Sequence, residues 1–162
     1  MRKFRGQAFE TMMLVISVIV AIAILGILLG FIGGIGTFGA DARTVMSDSM
    51  KKVQQRGFGV EVKDKAEFPL GVQYFAKDVV GESPVNPENV KFYCGDTSES
   101  LCGSGAGAPI PIATGNTYVG PVVKKITAAV AVCTGDGQFY SVCIGTTSAD
   151  ASTTCVEKCG LT

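Results

Sequence analysis

Histidine and tryptophan are both missing from the 162 residues. Without an imidazole there is no Ser–His or Cys–His nucleophile, and the commonest general base and metal ligand is lost. No Walker loop, His-Glu-x-x-His pair or EF-hand loop occurs. Nor is there an Asn-x-Ser/Thr sequon: Asn86 precedes Pro87, Asn89 precedes Val90-Lys91 and Asn116 precedes Thr117-Tyr118. Asp78 and Glu82 lie close together in sequence but read as solvated surface rather than a catalytic pair. These absences argue against an enzyme, and no cofactor, nucleotide or metal is implied.

Charge is missing as well, from one long stretch. Thr11 to Ala40, TMMLVISVIVAIAILGILLGFIGGIGTFGA, holds no Asp, Glu, Lys or Arg. As a continuous helix it would reach about 45 Å at ~1.5 Å per residue, beyond the ~30 Å of hydrocarbon in a bilayer. Such a segment needs lipid, or copies of itself, as solvent. Arg2, Lys3 and Arg5 precede it, so three of the fourteen basic residues lie in the first five positions. Their removal would leave eleven basic against fourteen acidic residues, a net charge of −3. That balance argues against nucleic acid as a partner, because phosphate binding requires clustered Lys and Arg.

Cysteine is confined to the last seventy residues, as Cys94, Cys102, Cys133, Cys143, Cys155 and Cys159. An even number restricted to the distal part of the chain points to disulfides formed in an oxidising exterior. Zinc is the weaker reading, since no pair has Cys-x2-Cys spacing and no histidine could complete a mixed site. Six cysteines allow fifteen pairings. A Cys94–Cys102 bridge closing a small loop, with the other four paired among themselves, is one of them.

The stretch RKFRG-QAFETMMLVISVIVAIAILG resembles the class III signal sequence of type IV pilin-like proteins, most closely the archaeal pilins. The resemblance covers about thirty residues. It rests on their order: basic leader, Gly-Gln, acidic residue, long apolar run. It implies that a membrane-embedded prepilin peptidase removes residues 1–6 by cutting between Gly6 and Gln7. The family commonly carries a glutamate at the fifth position of the mature helix, whereas Glu10 would be the fourth here. The implied role of Glu10 is to meet the new α-amino group of a neighbouring subunit. The other reading seats it in the headgroup layer at a helix N-terminus, where the dipole tolerates a carboxylate. Gly26, Gly30 and Gly34 place three side-chain-free positions on one helix face, either a packing groove between copies or general glycine enrichment. Gly34-x-Gly36-x-x-Gly39 follows no strand and is not read as a dinucleotide loop.

Beyond the apolar run, residues 41–56 resume a helical pattern. Ala42, Val45, Met46, Ser49, Met50 and Val53 form one stripe, Asp41 stands at the start, and Gly57 and Gly59 stop it. From Gly59 the pattern becomes β-like, with runs at Gly59–Val62, Leu70–Phe75, Val90–Cys94, Thr117–Val123, Ile126–Cys133 and Gln138–Ile144. The clearest hairpin joins the last two across Gly135-Asp136-Gly137. Residues 83–87 and 103–116 read as loops. Residues 145–162 are Ser/Thr-rich and held by Cys155 and Cys159 alone.

The expected architecture is therefore α+β. A leader (1–6) precedes an N-terminal helix (7–57, apolar over 11–40 and amphipathic over 41–56) and a small β-rich, disulfide-bonded head (58–162). The expected function is a structural pilin-like subunit that polymerises with itself through its N-terminal helices. It would begin in the cell membrane and end in an extracellular filament or at the cell surface. The resemblance implies a prepilin peptidase, an assembly platform and an ATPase motor as partners, and roles such as adhesion, surface attachment or DNA uptake. The rival readings are a single-span surface protein with an exported binding head and, more weakly, a redox or metal module built on the cysteines.

Overall fold

The computed structural model describes residues 12–25 and 40–161. The chain divides into two compact units, Met1–Phe38 and Gly39–Thr162. In the first, residues 12–25 form helix α1, and every one of them is exposed.

The continuous thirty-residue apolar helix expected over 11–40 requires correction. Among the described residues no helix is long and apolar enough to cross a membrane. Residues 12–25 rise about 21 Å at ~1.5 Å each, short of the ~30 Å of a hydrocarbon core. The apolar run continues through residues 26–39, which lie outside the described residues and whose six glycines each cost a helix interior about 1 kcal/mol relative to alanine; for that reason the sequence reads the glycine-dense 33–39 as a helix break or softened turn.

The second unit begins with a two-residue strand, β1 (Ala40–Asp41), which runs into α2 (Ala42–Arg56). Asp41 caps the helix by accepting from the Arg43 N–H at 2.8 Å. Gly57 ends it at φ 77°, a left-handed conformation that glycine adopts without a Cβ clash. The buried residues of α2 are Ala42, Val45, Met46, Ser49, Met50 and Val53, one stripe at helical spacing. There follow β2 (Gly59–Phe68), β3 (Tyr74–Phe75), α3 (Ala76–Val80), a 3₁₀ turn (Pro87–Asn89), β4 (Val90–Cys94), β5 (Cys102–Gly103) and β6 (Ile110–Pro111). β7 (Tyr118–Val119), β8 (Ile126–Thr134), β9 (Tyr140–Gly145) and α4 (Ser148–Cys159) complete the chain.

The main sheet has the order β1-β2-β8-β9-β4. β8 is antiparallel to β9, as the hairpin signal predicts, and also to β2, whereas β4 joins β9 in parallel. Helix α2 packs on one face over β2 and β8, and α4 covers the other. β8 is consequently buried on both sides. Ala128, Val130 and Val132 belong to the large core under α2, with Phe68, Phe92, Met46 and Met50. The alternate residues Ala129, Ala131 and Cys133 meet Cys143, Ala151 and Cys155 under α4. One strand thus serves two unequal cores through its period-two alternation.

All six cysteines are bridged. Cys94 pairs with Cys102, Cys133 with Cys159 and Cys143 with Cys155, at Cα separations of 5.6, 6.2 and 5.7 Å. The second and third bridges fasten α4 to β8 and β9. Glycine makes room for that helix: a Cβ on Gly145 would lie 2.7 Å from the Ala151 backbone nitrogen, and one on Gly135 would overlap the Cys159 carbonyl.

Several expectations from the sequence are revised here. The tail beyond 145 is a capped helix: Thr147 Oγ1 accepts from the Asp150 N–H, and the Asp150 carboxylate accepts from the Thr147 N–H, both at 3.2 Å. The runs at Leu70–Phe75 and Thr117–Val123 contract to Tyr74–Phe75 and Tyr118–Val119. Pro69 and Pro121 flank these pieces, and proline donates no ladder hydrogen bond. The small-residue loop 103–116 buries Ile110 and Ile112 in the main core.

Replacing Cys133 and Cys159 together by alanine should lower stability by about 2–4 kcal/mol. The Cys94/Cys102 double replacement should cost less, because it opens 8 residues rather than 26. Chemical denaturation of the oxidised variants checks the order.

Candidate functional site

The residues expected to carry assembly fall into two groups. Gly6, Gln7, Glu10, Gly26, Gly30 and Gly34 lie outside the described residues. The described part of the apolar run, α1, bares Val, Ile, Leu and Met side chains on all its faces, from Met12 at 67% exposure to Leu25 at 57%. No face of α1 has the polar covering that a surface helix of a soluble domain carries.

The head places its charged groups unevenly. At the C-terminal end of α2, Glu61 of β2 receives three cations. Lys52 Nζ and Arg56 Nη2 each lie 3.0 Å from its carboxylate, and Lys63 Nζ lies at 3.7 Å. The hydrogen bond from Lys52 pulls the Glu61 pKa down against the opposing effect of desolvation, aided by the charges of Lys52 and Arg56. Lys52 is raised in turn, first by its hydrogen bond to Glu61. Beside this cluster a cleft of about 510 Å³ runs between α2 and β2, lined by Val45, Asp48, Lys51, Lys52, Gln55 and Lys63 among others.

At the other edge of the sheet, the Cys94–Cys102 bridge closes a loop organised by Asp96. Its carboxylate accepts from the Ser98 and Leu101 N–H groups at 3.0 and 2.6 Å and from the Ser98 and Ser100 hydroxyls at 2.6 and 2.8 Å. Desolvation pushes its pKa up, but these four donors outweigh it and bring the group down to about 2. Glu99 sits in this loop at φ 54°, uncommon outside glycine.

A third surface is the ribbon of β3 and β7. Phe75 and Tyr118 pair at 6.4 Å between ring centres, with Lys77 Nζ 5.2 Å from the Phe75 ring. Behind this ribbon Tyr74 is fully buried against Phe68, and burial, then the charge of Asp41, pushes its hydroxyl up to about 12.

The three disulfides join all six candidate cysteines and leave none free. Among the described residues no group of three His, Cys, Asp or Glu is placed to hold a metal ion. The α4 helix and the Asp96 loop escaped sequence reasoning. The Thr147-x-x-Asp150 capping box, Lys158 in the last turn and Gly160 beyond it were signals that would have found the helix. The chain matches no protein-family model, no curated protein and no solved structure.

Because the folded Asp96 lies below its ordinary 3.8, its contribution is complete above that value and is lost as pH falls from 3.8 towards about 2. Asp96→Asn should therefore lower the melting temperature at neutral pH and flatten its acid dependence in that window. Thermal unfolding followed by circular dichroism, with the bridges intact, makes the comparison.

Proposed function

We propose that this chain is a structural subunit of an extracellular, type IV pilus-like filament. Its apolar N-terminal segment packs against the same segment of other copies, and the disulfide-bonded head faces solvent. The observation that carries this reading is α1, fourteen consecutive residues that are all exposed and all uncharged. Burying such a surface is favourable by roughly 25 cal/mol per Å², and repetition of one heterologous contact generates an open helical assembly. The leader pattern Arg5-Gly6-Gln7, with Glu10 the fourth residue after the cut, supports processing before assembly. Removing the positive leader would leave a mature segment whose first charge is Glu10, placed to meet a neighbour's α-amino group. The peptidase, the platform and the motor that such a filament needs would be separate proteins, and adhesion is one role its head could serve.

The reading is tested on sheared cell-surface fibres. The subunit within them should begin at Gln7, and Gly6→Leu should stop both processing and fibre formation. Ile19→Lys puts an ammonium on the exposed apolar surface of α1. It should reduce fibre yield at least about tenfold through the cost of burying the charge, with the head's thermal unfolding unchanged. Fibres formed normally by Ile19→Lys, or a mature chain still beginning at Met1, would overturn the proposal.

A further inference from the structure

Eight residues of the chain carry a side-chain carboxamide, and four of them meet at one place. Gln54 near the end of α2, Asn86 and Asn89 around the 3₁₀ turn, and Gln138 between β8 and β9 line a hollow of about 390 Å³. Val85 and the buried Tyr140 supply its apolar part. The volume lies within the ~300–1,000 Å³ range of small-molecule sites. The turns after α2 and β8 touch at its margin: a Cβ on Gly137 would lie 3.2 Å from the Gly57 carbonyl oxygen.

Two of the carboxamides are oriented by bonds to their oxygens. Ser83 Oγ accepts from the Val85 N–H at 3.4 Å and so gives its own proton to Gln54 Oε1, 2.7 Å away. Asn86 Oδ1 accepts from the Glu88 N–H at 3.0 Å, and an N–H can only donate. Both NH2 groups are thereby left without a protein partner among the described residues. Asn89 and Gln138 are held through their backbone N–H groups, which donate to the Asn86 carbonyl and to Asp136, both at 2.9 Å. Their side chains bond to nothing among the described residues. Each such amide offers donors and an acceptor side by side, which a ligand must match when it displaces water.

No Asp, Glu, Lys or Arg lines this hollow. The charges nearest in the chain are engaged elsewhere. Arg56 pairs with Glu61 at 3.0 Å. Asp136 accepts from the Gln138 and Phe139 N–H groups, both at 2.9 Å, and lines a separate hollow with Lys158. Glu88 lines another with Lys77, and Glu82 shares a third with Lys51 and Gln54. An ionic ligand would therefore lose hydration without meeting a counter-charge. A purely apolar ligand would cover the amides and leave them unpaired. What fits is uncharged and dense in groups that both donate and accept.

We propose that this hollow binds an uncharged saccharide. Its hydroxyls accept from the carboxamide NH2 groups and donate to the carboxamide oxygens, and the C–H face of the ring rests on Val85 and Tyr140. An extended peptide is the poorer match. Peptides of that kind are held by adding a strand to an open sheet edge, whereas β9, the strand that borders the hollow, is already paired on both sides by β8 and β4. The site lies wholly within Gly39–Thr162 and does not depend on the filament reading.

The test uses the full ¹⁵N-labelled chain in micelles of a detergent without a sugar headgroup. Glucose, galactose, mannose, N-acetylglucosamine, lactose and maltose are titrated in turn. The side-chain NH2 signals of Gln54, Asn86, Asn89 and Gln138 are followed by two-dimensional NMR. At least one of these sugars should shift them saturably, with a dissociation constant of about 1 mM or tighter. Asn89→Ala/Gln138→Ala removes two side chains that bond to nothing in the head. It should weaken that binding at least about tenfold, as a lost pair of hydrogen bonds requires, and leave thermal unfolding unchanged. Gln138→Glu, which keeps the size of an exposed side chain but brings a charge to the hollow, should weaken it in the same direction. Phe75→Ala, on the ribbon of β3 and β7, should leave it unaltered. Glucuronate and inorganic phosphate should bind more weakly than the best neutral sugar. Failure of every one of these sugars to move the signals overturns the proposal. So does parent-like binding by both carboxamide variants, or a loss that follows Phe75→Ala instead. Tighter binding of glucuronate or phosphate would assign the hollow to an anion and overturn it. An uncharged peptide rich in serine and glutamine that shifts the same signals, where the sugars do not, would assign it to a protein partner and overturn it as well.

Discussion

The face that β8 and β9 turn towards α4 holds Ala129, Ala131, Cys133 and Cys143, with nothing larger than a thiol-bearing side chain among them. A helix can approach such a surface closely but gains little apolar burial from doing so. The helix offers little in return, since only Ala151 and Cys155 of α4 are buried. Two disulfides, Cys133–Cys159 and Cys143–Cys155, supply the attachment that packing does not. Bridges of this kind contribute about 2–4 kcal/mol each, comparable to one or two buried large side chains. The opposite face has the reverse economy: Phe68, Phe92, Met46, Met50 and Val132 form a conventional core with α2, and the one bridge it contains, Cys94–Cys102, does not fasten that helix.

This asymmetry determines what the surfaces are free to do. With covalent links holding α4 and the Asp96 loop, the exposed positions around them need not contribute to stability. The apolar helix α1 is a different kind of surface. It is exposed along its whole described length and carries no charge.

Much of the second unit was legible from local pattern. The stripe from Ala42 to Val53 and the Asp41 and Gly57 stops define α2 because a helix repeats every 3.6 residues and must be capped. The apolar alternation from Ile126 to Cys133, followed by Gly135-Asp136-Gly137, defines the hairpin for equally local reasons. The 145–161 region was misread because its Ser/Thr content outweighed a capping box that only later proved to open a helix. The long continuous helix over 11–40 is corrected to a described helix of residues 12–25, too short to cross a membrane.

By itself, the order of residues determined the class of the protein: an uncharged amino-terminal run, an amphipathic helix, short strands and an even set of cysteines confined to the last seventy residues. These are one-dimensional properties, fixed by composition and by periods of two and 3.6. Only the tertiary structure decided which cysteines meet, that β4 lies parallel to β9, and that Lys51 and Lys63 line one cleft. Those facts depend on contacts between residues far apart in the chain, and no local periodicity encodes which distant partner a strand or a thiol will find.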